Sequence, residues 1–280
     1  MNLYDHFVLT RFNVRTEFSR GRVPDDAWLR HRFQLFEQFA YPSMQSQSVE
    51  KFTWLVFFDE ATAANFKQQI AGYAQCHNFV PYFVDKLAVG TEAAQALLSS
   101  TIRAHCSPDA SHIITTRFDN DDAIGKHYLA HIQNQFAAQS FQFINFTNGY
   151  ILRGKKLYKK RHLSNPFISL IEEAGDFRTV WLAGHHKLAD LGNIVQVDCS
   201  PQWLQVVHRR NFRNRVGVGN LRVPLRLVRQ EFCFDLPEAS KVEPKWAIKL
   251  ENKLKGLRMR SRKRLDRVKR AIKLFFEEEA

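Results

Sequence analysis

The stretch Ile113-Ile114-Thr115-Thr116-Arg117-Phe118-Asp119-Asn120-Asp121-Asp122 decides how this chain is read. A short β-prone run ends in three carboxylates packed into four positions. Carboxylates at i and i+2 beyond a strand end can turn toward one point, and crowding them there costs repulsion unless a divalent cation sits between them. Hard cations such as Mg²⁺ and Mn²⁺ prefer oxygen ligands and bridge phosphates. The plain alternative is an acidic turn or helix N-cap, since Asp favours both. An EF-hand loop fits poorly. It needs oxygen ligands at positions 1, 3 and 5 and Gly at 6, and counting from Asp119 the last two places hold Ala123 and Ile124. A phosphotransfer nucleophile of the D-x-D type usually closes a first strand, whereas this run closes a later one.

Working outward, strands alternate with helices. His6–Val14 reads as a first strand, Phe7 to Asn13 at its centre. Pro24-Asp25-Asp26-Ala27-Trp28 begins a helix with Asp near its start, and apolar residues at 29, 33, 36 and 39/40 keep helical spacing. Phe52–Asp59 is almost continuously apolar, as a strand buried on both faces of a parallel sheet should be. Thr62–Ala74 reads as a helix, and Phe79–Asp85 as a strand near a sheet edge because of Pro81. Thr91–Cys106 is helical and Ser111–Phe118 is the fourth strand. This order predicts an open α/β sheet, whose ligands bind beyond the carboxyl ends of strands. The acidic run lies at one such end.

Past the run, Lys126–Gln139 reads as helix and Phe141–Leu152 as a strand or hairpin with Asn148-Gly149 as its turn. Ile168–Ala174 reads as a short helix after Asn165-Pro166-Phe167. Val180–Leu182, Ile194–Val197 and Trp203–His208 read as strands, the last followed by Arg209, Arg210, Arg213 and Arg215.

Of 280 residues, 45% are hydrophobic and 24 are Phe, enough for one large core or a domain plus an appendage. No apolar run approaches the length of a transmembrane helix, and the N-terminus lacks the basic-then-apolar order of a signal peptide. Cys76, Cys106, Cys199 and Cys233 are scattered, which predicts free thiols in a reducing compartment and no structural zinc. The net charge of +13 is uneven: residues 241–273 carry 14 Lys/Arg against three acids, a local +11. There Trp246, Leu250, Leu254, Leu257, Leu265, Val268, Ile272 and Phe275 recur at helical spacing, on one long helix or on two broken near Gly256. Such a basic amphipathic segment suits an anionic membrane interface. The alternative is a helix that packs its apolar stripe on its own domain. No motif points to nucleic acid.

Leu9-Thr10-Arg11-Phe12-Asn13, Tyr41-Pro42-Ser43-x-x-x-Gln47-Ser48, Trp54–Asp59 and Arg117-Phe118-Asp119-Asn120-Asp121-Asp122 together resemble the putative rhamnosyltransferases of bacterial surface polysaccharide synthesis. Asn165-Pro166-Phe167 and Val206-Val207-His208 also look like them. The resemblance covers about residues 3–230. It implies an α/β, GT-A-like open mixed sheet flanked by helices. Residues 1–125 would form the nucleotide-binding half and 126–240 the acceptor half, with the basic tail, 241–280, outside it. It also implies a metal-dependent glycosyltransferase moving a sugar, rhamnose if the family's name holds, from a nucleotide-sugar donor to a polysaccharide or lipid-linked glycan.

Carried onto this chain, the resemblance assigns Asp119 to the donor and Asp121, with Asp122 as a competitor, to a Mn²⁺ or Mg²⁺ ion. His208 suits a further ligand. Arg117 could pair with the diphosphate or buttress the carboxylates, and Arg11 and Asn13, at the first strand's end, are candidates for the nucleoside. An inverting enzyme needs a general base; Glu172 and Asp190 are the leading candidates, with Asp198, Glu173 and the pair His185-His186 behind them. The expected location is the inner face of the bacterial inner membrane, reached from the cytoplasm through an anionic surface bound by 241–276. Two other classes compete: a noncatalytic nucleotide- or glycan-binding protein on the same fold, and an Asp-dependent phosphotransfer enzyme.

Overall fold

The computed structural model describes residues 3–15, 25–208, 215–234, 236 and 243–278. Pro24, Arg209, Arg210 and Arg213 lie outside these, as do the side chains of Leu265, Val268, Ile272 and Phe275. In chain order the strands are β1 (Tyr4–Arg11), β2 (Thr53–Asp59), β3 (Phe79–Val84), β4 (His112–Arg117), β5 (Ala123–Ile124), β6 (Phe141–Phe146), β7 (Asn148–Arg153), β8 (Lys156–Arg161), β9 (Ser169–Glu173), β10 (Ile194–Val197), β11 (Trp203–Val207) and β12 (Arg222–Val223). The helices are α1 (Asp26–Leu35), α2 (Tyr41–Gln45), α3 (Ala64–Gly72), α4 (Glu92–Arg103), α5 (Tyr128–Gln133), α6 (Leu227–Glu231) and α7 (Lys245–Glu278).

The large sheet runs β10-β6-β9-β4-β1-β2-β3 and the small one β12-β8-β7-β11-β5. In the large sheet β9 alone runs against its neighbours. It is thus an open mixed sheet of an α/β protein, flanked by helices, and strands from both sides of residue 125 share it. β3, carrying Pro81, is an edge strand, where a missing N–H costs no ladder bond.

Alternation on two buried faces explains the near-continuous apolar strands. Phe7 and Leu9 join the core under α4 with Phe57 and Trp181. Val8, Trp54, Val56 and Phe58 join the opposite core with α1, α3, α5 and Trp203 of the small sheet. A third core lies behind the small sheet, where Tyr150, Leu204 and Val206 meet Leu35, Phe39 and α6. The central polar row His6–Thr116–Ser169 is hydrogen-bonded strand to strand, at 2.8 and 2.6 Å.

Several local expectations need correction. Ile168–Ala174 is not a helix: Ser169–Glu173 pairs with β4 and β6 as β9. Its period-two burial, Leu170 to one core and Ile171 to the other, overrides any helical propensity of Glu172-Glu173-Ala174. Val180–Leu182 is a single 3₁₀ turn that buries Trp181. Lys126–Gln139 holds only the short α5, and Ala138, at φ 55°, turns the chain toward β6. Asn148-Gly149 is not a turn but the start of β7. The Gly is needed because the Trp203 indole lies across it, 2.0 Å from where a Cβ would stand. The true hairpin turn follows at Gly154, φ +55°, between β7 and β8.

Candidate active site

Residues 118–122 carry the chain from the large sheet to the small one. The Phe118 amide donates to Leu9 O at 3.0 Å, and Asn120 Nδ2 donates to Phe12 O at 2.9 Å. Both bonds pin the acidic run across the carboxyl ends of β4 and β1. Ala123 and Ile124 then pair with Leu204 and Trp203, so β11 lies directly beside the run.

Neighbouring carboxylates meet different fates. Asp121 Oδ2 accepts from Arg32 Nη1 at 2.7 Å and from His208 Nε2 at 2.9 Å. Burial would raise its pKa, but Arg32 and His208 together outweigh burial and hold the carboxyl below its ordinary value. Asp122 turns the other way, into the small sheet, where Oδ1 accepts from the Val206 amide at 2.8 Å. Its Oδ2 has no hydrogen-bond partner among the described residues. Burial, then the charges of Asp121 and Asp119, push its pKa far up. Of the two competitors for an ion, Asp121 and Asp122, the carboxylates therefore point to different sides. Adjacent residues entering a strand point to opposite sides.

Asp119 is the more exposed carboxylate, 3.7 Å from Arg117 Nη2. His185 lies within the electrostatic reach of both. Its Nδ1 contacts the Ser164 carbonyl at 2.5 Å. A carbonyl only accepts, so Nδ1 carries the proton and Nε2 keeps its lone pair. Burial, then the charge of Arg117, lowers this imidazole to about 4, so it is neutral at pH 7. Lys160 approaches from β8: Nζ donates to Gln205 Oε1 at 2.7 Å and sits 5.9 Å from the Trp203 ring centre. Lys160 also lines a pocket of about 560 Å³, together with Asn148, Gly149, Arg161, Ser200 and Asn220 among others.

The remaining candidates lie elsewhere or have other work. Asn13 is buried and spends both amide atoms on the end of β2, accepting from the Asp59 amide and donating to Thr62 Oγ1 at 3.0 Å. Arg11 lies 5.7 Å from the Trp181 ring centre. Glu172 pairs with Ile113, near the amino end of β4, away from the acidic run. Its two oxygens accept from the amides of Arg178 and Thr179 at 3.0 and 2.9 Å. Thr179 has φ 71° and ψ 158°, a region almost reserved for Gly, so this carboxylate braces a strained turn. Asp190 is exposed at the far end of the 3₁₀ segment that His185 begins.

Arg32, Lys160 and the poise of His185 escaped the sequence reading. Arg32 gave one signal: it falls between Leu29 and Phe36 on the helix, at the border of the buried face, where a cation needs a partner. Asp121 offers a hard oxygen donor with the His208 imidazole 2.9 Å away, and a divalent ion bound between them would take the place that Arg32 and the His208 N–H hold at Oδ2. No group of three His, Cys, Asp or Glu with metal-ligand geometry occurs among the described residues. Two protein donors still fit Mg²⁺, which is commonly held by one or two carboxylates plus substrate phosphates and water.

Residues 14–220 match the family described as putative rhamnosyl transferase. The chain belongs to that family. Among solved structures it is similar to Staphylococcus aureus TarS residues 1–349, with 10% identity, TM-score 0.41, and 72% of this chain and 60% of that chain covered. A longer TarS chain gives 12% identity and TM-score 0.41 over 72% of this chain and 37% of that one. A putative nucleotide-diphospho-sugar transferase from Desulfovibrio desulfuricans G20 gives 6% identity and TM-score 0.36, over 72% and 82%. The chain thus spans 60% and 37% of the two TarS chains it matches. No curated protein matches it.

Proposed function

We propose that this family member moves a sugar, rhamnose by the family's name, from a nucleotide-sugar donor to a polysaccharide or lipid-linked glycan. The carrying observation is the acidic run at the carboxyl ends of β1 and β4, with Asp121 meeting His208 and Arg32. Asp121 and His208 would hold a Mn²⁺ or Mg²⁺ ion, with Asp119 beside the donor. The ion, when bound, neutralises charge growing on the departing diphosphate. Arg32, beside Asp121, and Arg117, beside Asp119, add positive charge to the run. For an inverting transfer, His185 Nε2 is the group able to accept the acceptor hydroxyl's proton as that oxygen bonds to the anomeric carbon and the bond to diphosphate breaks. Glu172 is committed to backbone amides, and Asp190 is exposed at the end of the segment whose first residue, His185, lies within electrostatic reach of Asp119, so His185 takes precedence over both. The pocket that Lys160 lines is the acceptor's place, and the protein works peripherally at the inner face of the bacterial membrane.

The test is donor turnover without acceptor. Incubation with a panel of nucleotide sugars and Mn²⁺ should release nucleoside diphosphate slowly from one of them. His185→Gln should leave donor affinity unchanged and reduce transfer to acceptor roughly a hundredfold or more. Release of inorganic phosphate instead would point to a phosphotransfer enzyme and overturn the reading.

A further inference from the structure

α7 has two unlike sides over its first four turns. One side is fastened to the small sheet by polar groups. Glu251 accepts from Lys156 Nζ at 2.9 Å, from Tyr158 OH at 2.9 Å and from Arg222 Nη1 at 3.0 Å. Asn252 exchanges two hydrogen bonds with the backbone of Arg222, at 2.8 and 2.9 Å. Lys255 Nζ donates to Asn220 O at 2.9 Å, and Ile248 is buried beside them. Arg222 is also held by Glu243, just before the helix.

The other side is apolar and uncovered. Trp246 is 69% exposed, Leu250 and Leu254 49% each and Leu257 50%. At about 100° per residue, these four cluster opposite Ile248, Glu251, Asn252 and Lys255. The stripe is therefore not what packs on the domain; the polar side does that. The helix continues unbroken through Gly256. Beside the stripe, Lys245, Lys249, Lys253, Arg258, Arg260 and Arg264 are exposed, with no ion-pair partner among the described residues. So much like charge opposes pairing this face with a second copy of itself and favours an anionic occupant. No helix among the described residues is long and apolar enough to cross a membrane. An apolar stripe flanked by lysines, on a helix fastened to the small sheet by its other side, matches a surface that enters one leaflet to headgroup depth.

We propose that the stripe Trp246–Leu257 is the membrane-docking surface, that its occupant is an anionic phospholipid bilayer, and that the Arg222–Glu251 fastening holds the small sheet at a fixed orientation to that bilayer. Lys255 ties the helix to Asn220, which lines the pocket assigned above to the acceptor. The docked helix thereby brings that pocket close to the lipid surface. Only this last step rests on the glycosyl-transfer reading.

Full-length protein should cosediment with phosphatidylglycerol–phosphatidylcholine vesicles at low salt, and far less with phosphatidylcholine alone. Trp246→Glu with Leu250→Glu should lower vesicle affinity roughly tenfold or more. Both positions are exposed, so helix content by circular dichroism and nucleoside diphosphate affinity should not change. Lys249→Glu with Lys253→Glu should weaken binding to the anionic vesicles and leave the residual binding to neutral ones. Two outcomes overturn the proposal: no vesicle binding by the full chain at low salt, or a concentration-dependent dimer in sedimentation velocity that Trp246→Glu abolishes while vesicles are ignored. Vesicle binding is scored without donor, so its failure leaves the transfer reading standing, and the reverse holds for donor turnover.

Discussion

The two ends of the large sheet each bury a carboxylate, and they neutralise it differently. At the end of β4 where strands and acidic run meet, Asp121 is held by Arg32 from α1 and His208 beyond β11. Near the other end, Glu172 is held by two backbone amides of one adjoining loop. Long side chains can swing away and give their place to a ligand. Backbone amides fixed in a turn cannot. The first arrangement is that of a site open to exchange, the second that of a brace, although residue type and burial alone make the two acids look alike.

Substitutions at the two ends should separate these roles. The largest effect expected is from Asp121→Asn, which should slow donor turnover roughly a hundredfold or more, the scale for removing a fixed charge at a reacting group. Product release per folded molecule measures it, and unchanged turnover would remove Asp121 from the site. Glu172→Ala should instead cost stability, about 3 kcal/mol in urea unfolding, because two amides of a strained turn lose their acceptor. Turnover per folded molecule should hold, and Glu172→Gln should recover part of the stability. A turnover loss in a stably folded Glu172→Gln protein would restore Glu172 as a catalytic candidate.

Titration sharpens the comparison in smaller steps. Burial lowers His6 to about 3, and His162 and His185 to about 4, from 6.5. Below pH 6.5 the unfolded chain therefore binds more protons at these groups than the folded one. Their contribution is complete above pH 6.5 and is lost as pH falls toward 4 and below. Asp122 and Glu172, both raised, act in the opposite sense over part of that range. The clean measure is thus a difference: His6→Gln should reduce the slope of unfolding free energy against pH by about one proton between pH 6.5 and 4. An identical slope would mean that His6 is not held neutral in the sheet. The smallest effect expected is from Asp190→Ala, an exposed change that should shift stability by less than ~0.5 kcal/mol and leave transfer to acceptor unaltered. A large loss of transfer would return Asp190 to the role of base in place of His185.

The framework was legible because its signals are local. Phe52–Asp59 could only be a strand buried on both faces, and Pro81 marked the edge. The carboxylates of residues 119–122 announced themselves by crowding at a strand end, and His208 could be placed by position. What stayed hidden depends on contacts distant in sequence. β9 is a strand because β4 and β6 stand on either side of it, not because of anything in Ile168–Ala174. Gly149 reads as a turn until the Trp203 ring is seen lying over it. Arg32, 89 residues before Asp121, has no local mark of its role beyond its place at the border of a buried helical face. The opposed orientations of Asp121 and Asp122 follow from the start of β5, a two-residue strand defined only by its pairing with β11.

The central claim is that Asp121 and its partners form a metal-assisted diphosphate site. Calorimetry of nucleoside diphosphate binding tests it most directly, with wild-type and Asp121→Asn protein, each in Mn²⁺ and in EDTA. Wild-type affinity should be roughly tenfold or more higher in Mn²⁺, and the variant should bind equally in both conditions. Equal wild-type affinity in Mn²⁺ and EDTA would contradict the claim.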